Sequence, residues 1–145
     1  MSQSDTLRDA ILAWAEQDPE PAHKELAVKL VETMLVDEGS LSRAHELFAS
    51  RLRFGTAGIR GPMRAGPNGM NRLVIAQTTA GIAEFLLERG QKMDHASLQV
   101  VIGFDGRHHS KTFARDAAEV FCGYGITVAL LPRVLPTPVL AYAVR

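Results

Sequence analysis

Residues 51–72, RLRFGTAGIRGPMRAGPNGMNR, bring many cations together on a glycine-rich backbone. The segment holds five glycines and no carboxylate, and its five arginines are Arg51, Arg53, Arg60, Arg64 and Arg72. Guanidinium groups donate in pairs to phosphate oxygens, and glycines let backbone amides approach an anion closely. Neighbouring like charges repel by about 1 kcal/mol per close pair. The segment is therefore expected to bind an anionic ligand, which would offset this repulsion. The alternative for part of this charge is ion pairing of Arg51, Arg53 and Arg72 with acidic helices.

The spacing of these glycines differs from that of the common nucleotide-binding loops. They fall as Gly55-x-x-Gly58-x-x-Gly61, whereas the dinucleotide motif is G-x-G-x-x-G and the Walker motif needs a Lys-Ser/Thr pair after its last glycine. Nucleotide binding is therefore not predicted. What the segment offers is a loop in which backbone amides and the Thr56 hydroxyl can reach an anion.

A second polar cluster, GFDGRHHS, comes directly after the apolar residues of a predicted strand that runs to Phe104. Asp105, Arg107 and His108 are expected at the carboxyl end of that strand, where ligands gather in parallel sheets. A phosphate there would meet Arg107 and the positive end of a helix that Ser110 caps. The alternative is structural: Asp105 and Arg107 form an ion pair that fixes the turn, and the histidines are surface residues. Two adjacent histidines make a poor metal site, because neighbouring side chains diverge.

The elements that position these residues begin with a helical lead-in over residues 1–50. Apolar residues at helical spacing predict helices over Asp5–Glu16, Ala22–Val36 and Leu41–Ala49, with Ser40 or Ser42 as the N-cap of the third. These helices carry apolar stripes and no convergent set of polar groups. We therefore expect them to have a structural role and to pack on the remainder of the chain.

Residues 51–145 have the pattern of an α/β domain. Predicted helices over Leu73–Glu88, from Ser110 to Phe121 and behind Pro138 alternate with buried strands in SLQVVIGFD and ITVALL. Short apolar strands separated by helices imply βαβ units, which require a largely parallel sheet. The predicted fold is thus α/β, with the division between lead-in and domain at Arg51.

Charge and composition narrow the classes of partner. The formal net charge is zero, but residues 1–50 carry ten acidic and four basic side chains, and residues 51–145 carry six and twelve. Nucleic acid is not predicted as a partner, because the pI is near 7.0 and only Phe54 interleaves with the arginines. The first residues are polar and no apolar run is long enough to cross a bilayer, so we expect a cytoplasmic protein without a membrane partner.

The single cysteine, Cys122, lies in the apolar pattern of a predicted helix. It has no second thiol to pair with, which excludes an internal disulfide and a site built from cysteines. We expect a buried, inert thiol at this position.

Three sequence landmarks together resemble those of the α-D-phosphohexomutase family. RFGTAGIRG resembles the family signature F-G-T-[SA]-G-[IL]-R-G, IGFDGRHHS its G-x-D-x-R-x-x-S strand end, and LPTPVL its P-T-P turn. With GMNRLVIAQTTAGIAEFL and the helical lead-in, the chain is most similar to the branch that contains type-2 phosphoglucomutases and phosphopentomutases. The landmarks occur in family order and the resemblance spans essentially the whole chain.

The resemblance implies a phosphosugar mutase that uses a phosphoserine, Mg²⁺ and a sugar 1,6-bisphosphate that serves as intermediate and activator. Its substrates would be phosphorylated sugars: glucose, mannose or pentose phosphates. Arg60 would contact the bisphosphate near the phosphoserine, Thr56 and Gly58 would shape the loop, and Arg107 and His108 would serve the same edge of the sheet.

The chain departs from the family pattern in that three of its motifs are absent. It contains no T-A-S-H-N-P phosphoserine loop, no D-G-D-x-D-R metal loop and no sugar-selecting G-E-x-S-G loop. The resemblance therefore covers an incomplete first domain, with no catalytic residue and no Mg²⁺ ligand assigned here, and its partners would be the C-terminal domains of the same enzyme. The alternative is a non-catalytic module that ends naturally at Arg145 and binds phosphosugars or docks on a partner.

Overall fold

The computed structural model describes residues 3–56, 58–92 and 98–144. In this part of the chain the elements are α1 (Gln3–Gln17), α2 (Pro21–Thr33), α3 (Glu38–Phe48), β1 (Phe54–Gly55), β2 (Gly58–Ile59), α4 (Arg72–Lys92), β3 (Gln99–Ile102), α5 (Ser110–Gly123), β4 (Thr127–Leu130) and α6 (Thr137–Ala143). The chain forms two compact units, residues 1–74 and 75–145. This division by compactness does not test the predicted boundary at Arg51, which stays a prediction.

The first unit is built on the three lead-in helices, which pack on one another. The helical spacing of their apolar residues produces one shared core, in which Ile11, Met34 and Leu47 are almost fully buried. Trp14 meets Phe48 edge to face, with ring centroids 6.4 Å apart. Leu73 and Val74 also belong to this core, so the start of α4 is fixed against the lead-in.

A buried carboxylate organises the break between α1 and α2. Asp18 is 0% exposed and accepts a hydrogen bond from the indole Nε1 of Trp14 at 3.0 Å. Its other oxygen accepts from the backbone N–H of Glu20 at 2.9 Å, and Nδ1 of His23 lies 3.1 Å from the first oxygen. A buried carboxylate needs such partners, because leaving it without them would cost its full desolvation.

Two predicted helix boundaries in the lead-in differ from the structure. The third helix starts at Glu38, and its N-cap is Asp37, whose carboxylate accepts from the backbone N–H of Ser40 at 2.6 Å. Hydrogen bonds from the Ser40 side chain and backbone hold the pKa of Asp37 below its ordinary value. Ser40 and Ser42 lie inside this helix, so neither is its N-cap. The second helix ends at Thr33, before the predicted Val36.

The second unit contains the predicted parallel sheet. β3 and β4 pair in parallel, from Gln99 opposite Thr127 to Ile102 opposite Leu130. α5 connects them and packs on β4, which forms the expected βαβ unit. Phe121 and Ile126 are buried in its core with Ala83 of α4. The α/β prediction is confirmed.

The prediction that Cys122 is buried was wrong. The residue is exposed, although it lies in α5 as expected. The buried positions of this helix include Ala114 and Phe121, seven residues apart on one face. Cys122 follows Phe121 by one residue, a rotation of about 100° that carries it off that face.

None of the helices in residues 3–56, 58–92 and 98–144 has both the length and the apolar character that a membrane span requires.

We predict that Asp18→Ala lowers the free energy of unfolding of the first unit by about 2–3 kcal/mol, because it leaves the buried Trp14 N–H without an acceptor. Urea unfolding followed by the fluorescence of Trp14, the single tryptophan, measures this directly. Asp9→Ala, an exposed position on α1, is the matched control and should change stability by less than about 0.5 kcal/mol. Equal effects of the two variants would contradict the role of Asp18.

Candidate functional site

The segment that carries the predicted phosphate-binding residues forms a short antiparallel hairpin. Phe54 pairs with Ile59 and Gly55 with Gly58, so the turn lies at positions 56 and 57, of which position 57 is outside the described residues. Gly58 has φ +94°, a conformation that residues with a Cβ rarely adopt. A Cβ built at Gly58 meets no atom within 4 Å. The turn therefore requires glycine for its backbone and leaves open space beside it.

Arg60 comes directly after β2 and is exposed, and Thr56 is exposed in the turn. The structure thus brings Thr56, Gly58 and Arg60 together in one hairpin. Within the described residues the guanidinium of Arg60 makes no hydrogen bond or ion pair. An arginine in this state keeps all of its donors available to a ligand.

The backbone beyond the hairpin is tied to the C-terminal end of α3. The N–H of Asn68 donates to the carbonyl of Leu47 at 3.2 Å, and its side-chain amide donates to the carbonyl of Glu46 at 2.9 Å. These bonds satisfy carbonyl groups that a helix end leaves without partners. Gly66, with φ +84°, lies against the Leu47 carbonyl so closely that a side chain there would clash. The segment is held in place by its backbone.

Asn71 closes this segment and begins α4. Its side chain is buried, and its amide group donates to the carbonyls of Arg64 at 2.9 Å and Gly66 at 2.8 Å. Its oxygen accepts from the N–H of Val74 at 2.9 Å, which is the bond of a helix N-cap. This role of Asn71 was not predicted from the sequence. The signal was an asparagine directly before an apolar helical run.

Arg64 and Arg72 form ion pairs with carboxylates of residues 1–50. Arg72 lies 3.5 Å from a carboxylate oxygen of Glu20, which confirms its predicted pairing. Arg64 is ion-paired with Glu46, a contact that was not predicted from the sequence, and its Nε donates to the carbonyl of Asn68 at 3.2 Å. Hydrogen bonds from Arg43 and then Arg64 lower the pKa of Glu46.

Arg53 was expected to pair with an acidic helix, and the structure does not show this. The residue is exposed, and no hydrogen bond or ion pair joins it to another of residues 3–56, 58–92 and 98–144. The carboxylates of Glu46 and Glu20 pair with Arg64 and Arg72 instead. Arg53 and Arg60 therefore both carry charge that the described part of the chain does not balance.

In the polar cluster after β3, Asp105 and Arg107 form the ion pair that was given above as the structural alternative. Asp105 accepts from the backbone N–H of Arg107 at 3.1 Å and from its Nε at 2.8 Å, an ion pair within one tight turn. The backbone hydrogen bond from Arg107 is the main cause that lowers the pKa of Asp105. The Arg107 side chain is nevertheless 86% exposed, so the ion pair does not bury it. The structure leaves the phosphate-binding prediction for Arg107 untested.

The predicted capping role of Ser110 was wrong. Ser110 is the first residue of α5, and the N-cap is His109, in the left-handed conformation with φ 62° and without a side-chain cap. The Ser110 hydroxyl instead accepts from the backbone N–H of Asp105 at 3.2 Å. His108 is exposed, and the ring of His109 stacks on Phe113 with centroids 6.0 Å apart.

The segment after β4 lies beside the segment after β3. Leu131 donates its N–H to the carbonyl of Ile102 at 2.8 Å, and Leu135 donates to the carbonyl of Phe104 at 3.2 Å. The residues after the two strands therefore share the carboxyl edge of the parallel sheet, as expected for βαβ units.

Comparison with known proteins gives a consistent set of relatives. Residues 51–145 match the family described as "Phosphoglucomutase/phosphomannomutase, alpha/beta/alpha domain I". A phosphopentomutase of Mus musculus is 39% identical over 137 residues, which cover 90% of this chain and 21% of that protein. A phosphoribomutase of Saccharomyces cerevisiae is 38% identical over 143 residues, which cover 95% of this chain and 21% of that protein. No solved structure matches the chain significantly.

A third relative, a probable phosphomannomutase of Haemophilus influenzae, is 49% identical over 77 residues, or 53% of this chain and 15% of that protein. The chain thus spans about a fifth of the length of the curated relatives that it matches over most of its residues.

We predict that Asn71→Ala destabilises the first unit by about 2–3 kcal/mol, since it leaves the segment unclosed and α4 without its N-cap. Asn71→Asp separates the two roles, because it keeps the capping oxygen and loses the donor to the carbonyls. It should be destabilised at least as much as Asn71→Ala in urea unfolding followed by Trp14 fluorescence. Asn68→Ala, which removes one exposed hydrogen bond, should cost less than about 1 kcal/mol. An Asn71→Asp variant with wild-type stability would show that capping alone matters.

Proposed function

This chain belongs to the phosphoglucomutase/phosphomannomutase family, and we propose that it forms part of the first domain of a mutase that moves a phosphoryl group within a sugar phosphate. The names phosphopentomutase and phosphoribomutase among its relatives support pentose phosphates as substrates beside glucose and mannose phosphates. Because the chain spans about a fifth of those relatives, the activity is proposed for the whole protein. We also propose that it acts in the cytoplasm.

One observation carries the proposal for this chain's own part: Arg60 is exposed, has no ion-pair partner among the described residues, and lies beside Gly58, where a Cβ would meet no atom within 4 Å. An exposed guanidinium that no protein group engages keeps its donors available to an anionic ligand. A phosphate monoester supplies a dianion whose oxygens match the paired donors of arginine.

The proposed reaction is an exchange of phosphoryl groups. A phosphoserine gives its phosphoryl group to a hydroxyl of the sugar monophosphate, which forms a sugar bisphosphate and a free serine. The bisphosphate reorients, and its other phosphoryl group returns to the serine. Each transfer breaks one P–O bond and forms another, while a proton moves from the attacking to the leaving oxygen. Positive groups stabilise the charge on the equatorial oxygens.

In this scheme the residues of this chain bind and orient the phosphate groups of the sugar. Arg60 holds a phosphate of the bisphosphate, the Thr56 hydroxyl donates to it, and Gly58 gives the turn that brings the backbone close. We assign Arg107 and His108 to phosphate binding at the edge of the parallel sheet. The ion pair of Arg107 with Asp105 fixes the direction of its side chain while leaving it exposed.

The family resemblance implies Mg²⁺, and the described residues do not fit a site for it. Among the described residues, no three His, Cys, Asp or Glu side chains come together as a metal site. We therefore assign no residue here to Mg²⁺ and no step of the reaction to a metal held by these residues.

We predict that the chain alone does not interconvert glucose 1-phosphate and glucose 6-phosphate, because it contains no T-A-S-H-N-P loop to carry the phosphoryl group. Phosphorus NMR of either substrate with the purified chain measures this without a coupling enzyme. Conversion that scales with chain concentration and persists through a second purification step would contradict the proposal.

We predict that Arg60→Ala weakens binding of glucose 1,6-bisphosphate by about tenfold or more, the usual cost of a lost charged hydrogen bond. Calorimetric titration of the folded variant measures the dissociation constant. Arg8→Ala, which removes the same charge from an exposed position on α1, is the matched control and should bind as the wild type does. Equal affinities of the wild type and Arg60→Ala would remove Arg60 from the site.

A further inference from the structure

We infer that Arg53 is a second phosphate-binding residue, and that Arg53 and Arg60 hold a single phosphate monoester dianion between them across the hairpin. The inference rests on the proposed function, because it takes the phosphate of a sugar phosphate as the ligand. The sequence pattern favoured a different role for Arg53, ion pairing with an acidic helix.

Continued outward by one residue, the register of the hairpin would place Arg53 and Arg60 opposite each other. In this antiparallel ladder Gly55 faces Gly58 and Phe54 faces Ile59. The next residues outward along the two chains are Arg53 and Arg60. Residues that face each other in this way have Cβ atoms about 5 Å apart, a separation that two guanidinium groups can bridge around one phosphate.

The alternation of side chains puts both arginines on the bare side of the hairpin. Successive residues of an extended chain point to opposite sides, so Arg53 lies on the same side as Gly55. Arg60, the residue opposite Arg53 in the continued register, lies on that side too. Phe54 and Ile59 occupy the other side, and Phe54 is 67% exposed there. A Cβ built at Gly58 would meet nothing within 4 Å. A Cβ built at Gly55 would lie 3.3 Å from the carbonyl oxygen of Gly58, so the open approach for a phosphate is on the Gly58 side of the pair.

The charges around the hairpin support a dianion as the occupant. Arg64 and Arg72 are paired with Glu46 and Glu20. Arg53 and Arg60 make no ion pair within the described residues. Like charges that face each other across a ladder destabilise it. One phosphate monoester, with a charge close to −2 at neutral pH, balances two guanidinium groups and converts the repulsion into attraction.

A ligand with a single phosphate tests whether the two arginines act together. The probe is glucose 6-phosphate, titrated into the isotope-labelled chain while amide resonances are followed by NMR. The chains compared are the wild type, Arg53→Ala, Arg60→Ala, the double variant and Arg8→Ala as the charge control. Trp14 fluorescence and the dispersion of the NMR spectrum confirm that each variant is folded.

In the wild type, the amides of Gly55 and Gly58 should shift saturably, while those of Gly81 and Gly123, both on helices, should not. Arg53→Ala and Arg60→Ala should each weaken binding by about tenfold, and the double variant by clearly less than the product, because both act on one phosphate. Arg53→Lys keeps the positive charge but loses the paired N–H donors of the guanidinium. Its affinity for glucose 6-phosphate should lie between those of Arg53→Ala and the wild type. Unlabelled glucose at the same concentration should cause no shift.

Three outcomes would overturn the inference. If Arg53→Ala binds like the wild type while Arg60→Ala is weakened, Arg53 is not a ligand and the proposed function stands. If the two losses multiply fully, the arginines act separately and no shared phosphate exists. If the wild type shows no saturable shift in about 10 mM glucose 6-phosphate, the pair does not form a site. Loss of the Arg60 effect on glucose 1,6-bisphosphate would instead contradict the proposed function itself.

Discussion

The geometry of the arginine-rich segment depends on the side-chain amide of Asn71. By donating to the carbonyls of Arg64 and Gly66 and accepting from the N–H of Val74, this one group closes the segment and starts α4. Because the amide is buried, its hydrogen bonds have no competition from water, and breaking them leaves polar groups unsatisfied. These bonds hold the backbone after the hairpin in one conformation. This part of the backbone contains no helix or strand, so its position depends on them.

The second constraint is the balance of charge. The lead-in helices are acidic, and they neutralise part of the basic segment after them through Glu20 and Glu46. They leave Arg53 and Arg60 at the hairpin without such partners in the described residues. The lead-in therefore has a role beyond packing: it forms ion pairs with Arg64 and Arg72, and not with Arg53 and Arg60, which we propose to bind phosphate. A residual positive charge on an open glycine backbone favours phosphate over neutral ligands.

Much of this architecture follows from sequence periodicity. The helices and the parallel strands were predicted because their apolar residues repeat at different spacings. This spacing depends on many residues, so single substitutions change it little. The helix caps were predicted poorly: Asp37 displaces Ser40, and Ser110 bonds to the turn before its own helix, because short polar side chains have several backbone partners within reach. The ion pair of Arg64 with Glu46 joins residues from different elements, and no local pattern in the sequence reports such a contact.

The hairpin is proposed above all to bind the phosphate of a sugar phosphate through Arg60. A crystal structure of the chain with glucose 1,6-bisphosphate tests this most directly. We expect one phosphate group on the glycine side of the hairpin, with its oxygens within hydrogen-bond distance of the Arg60 guanidinium and the amide of Gly58. A bisphosphate bound only at the edge of the parallel sheet, with the hairpin in contact with solvent, would contradict it.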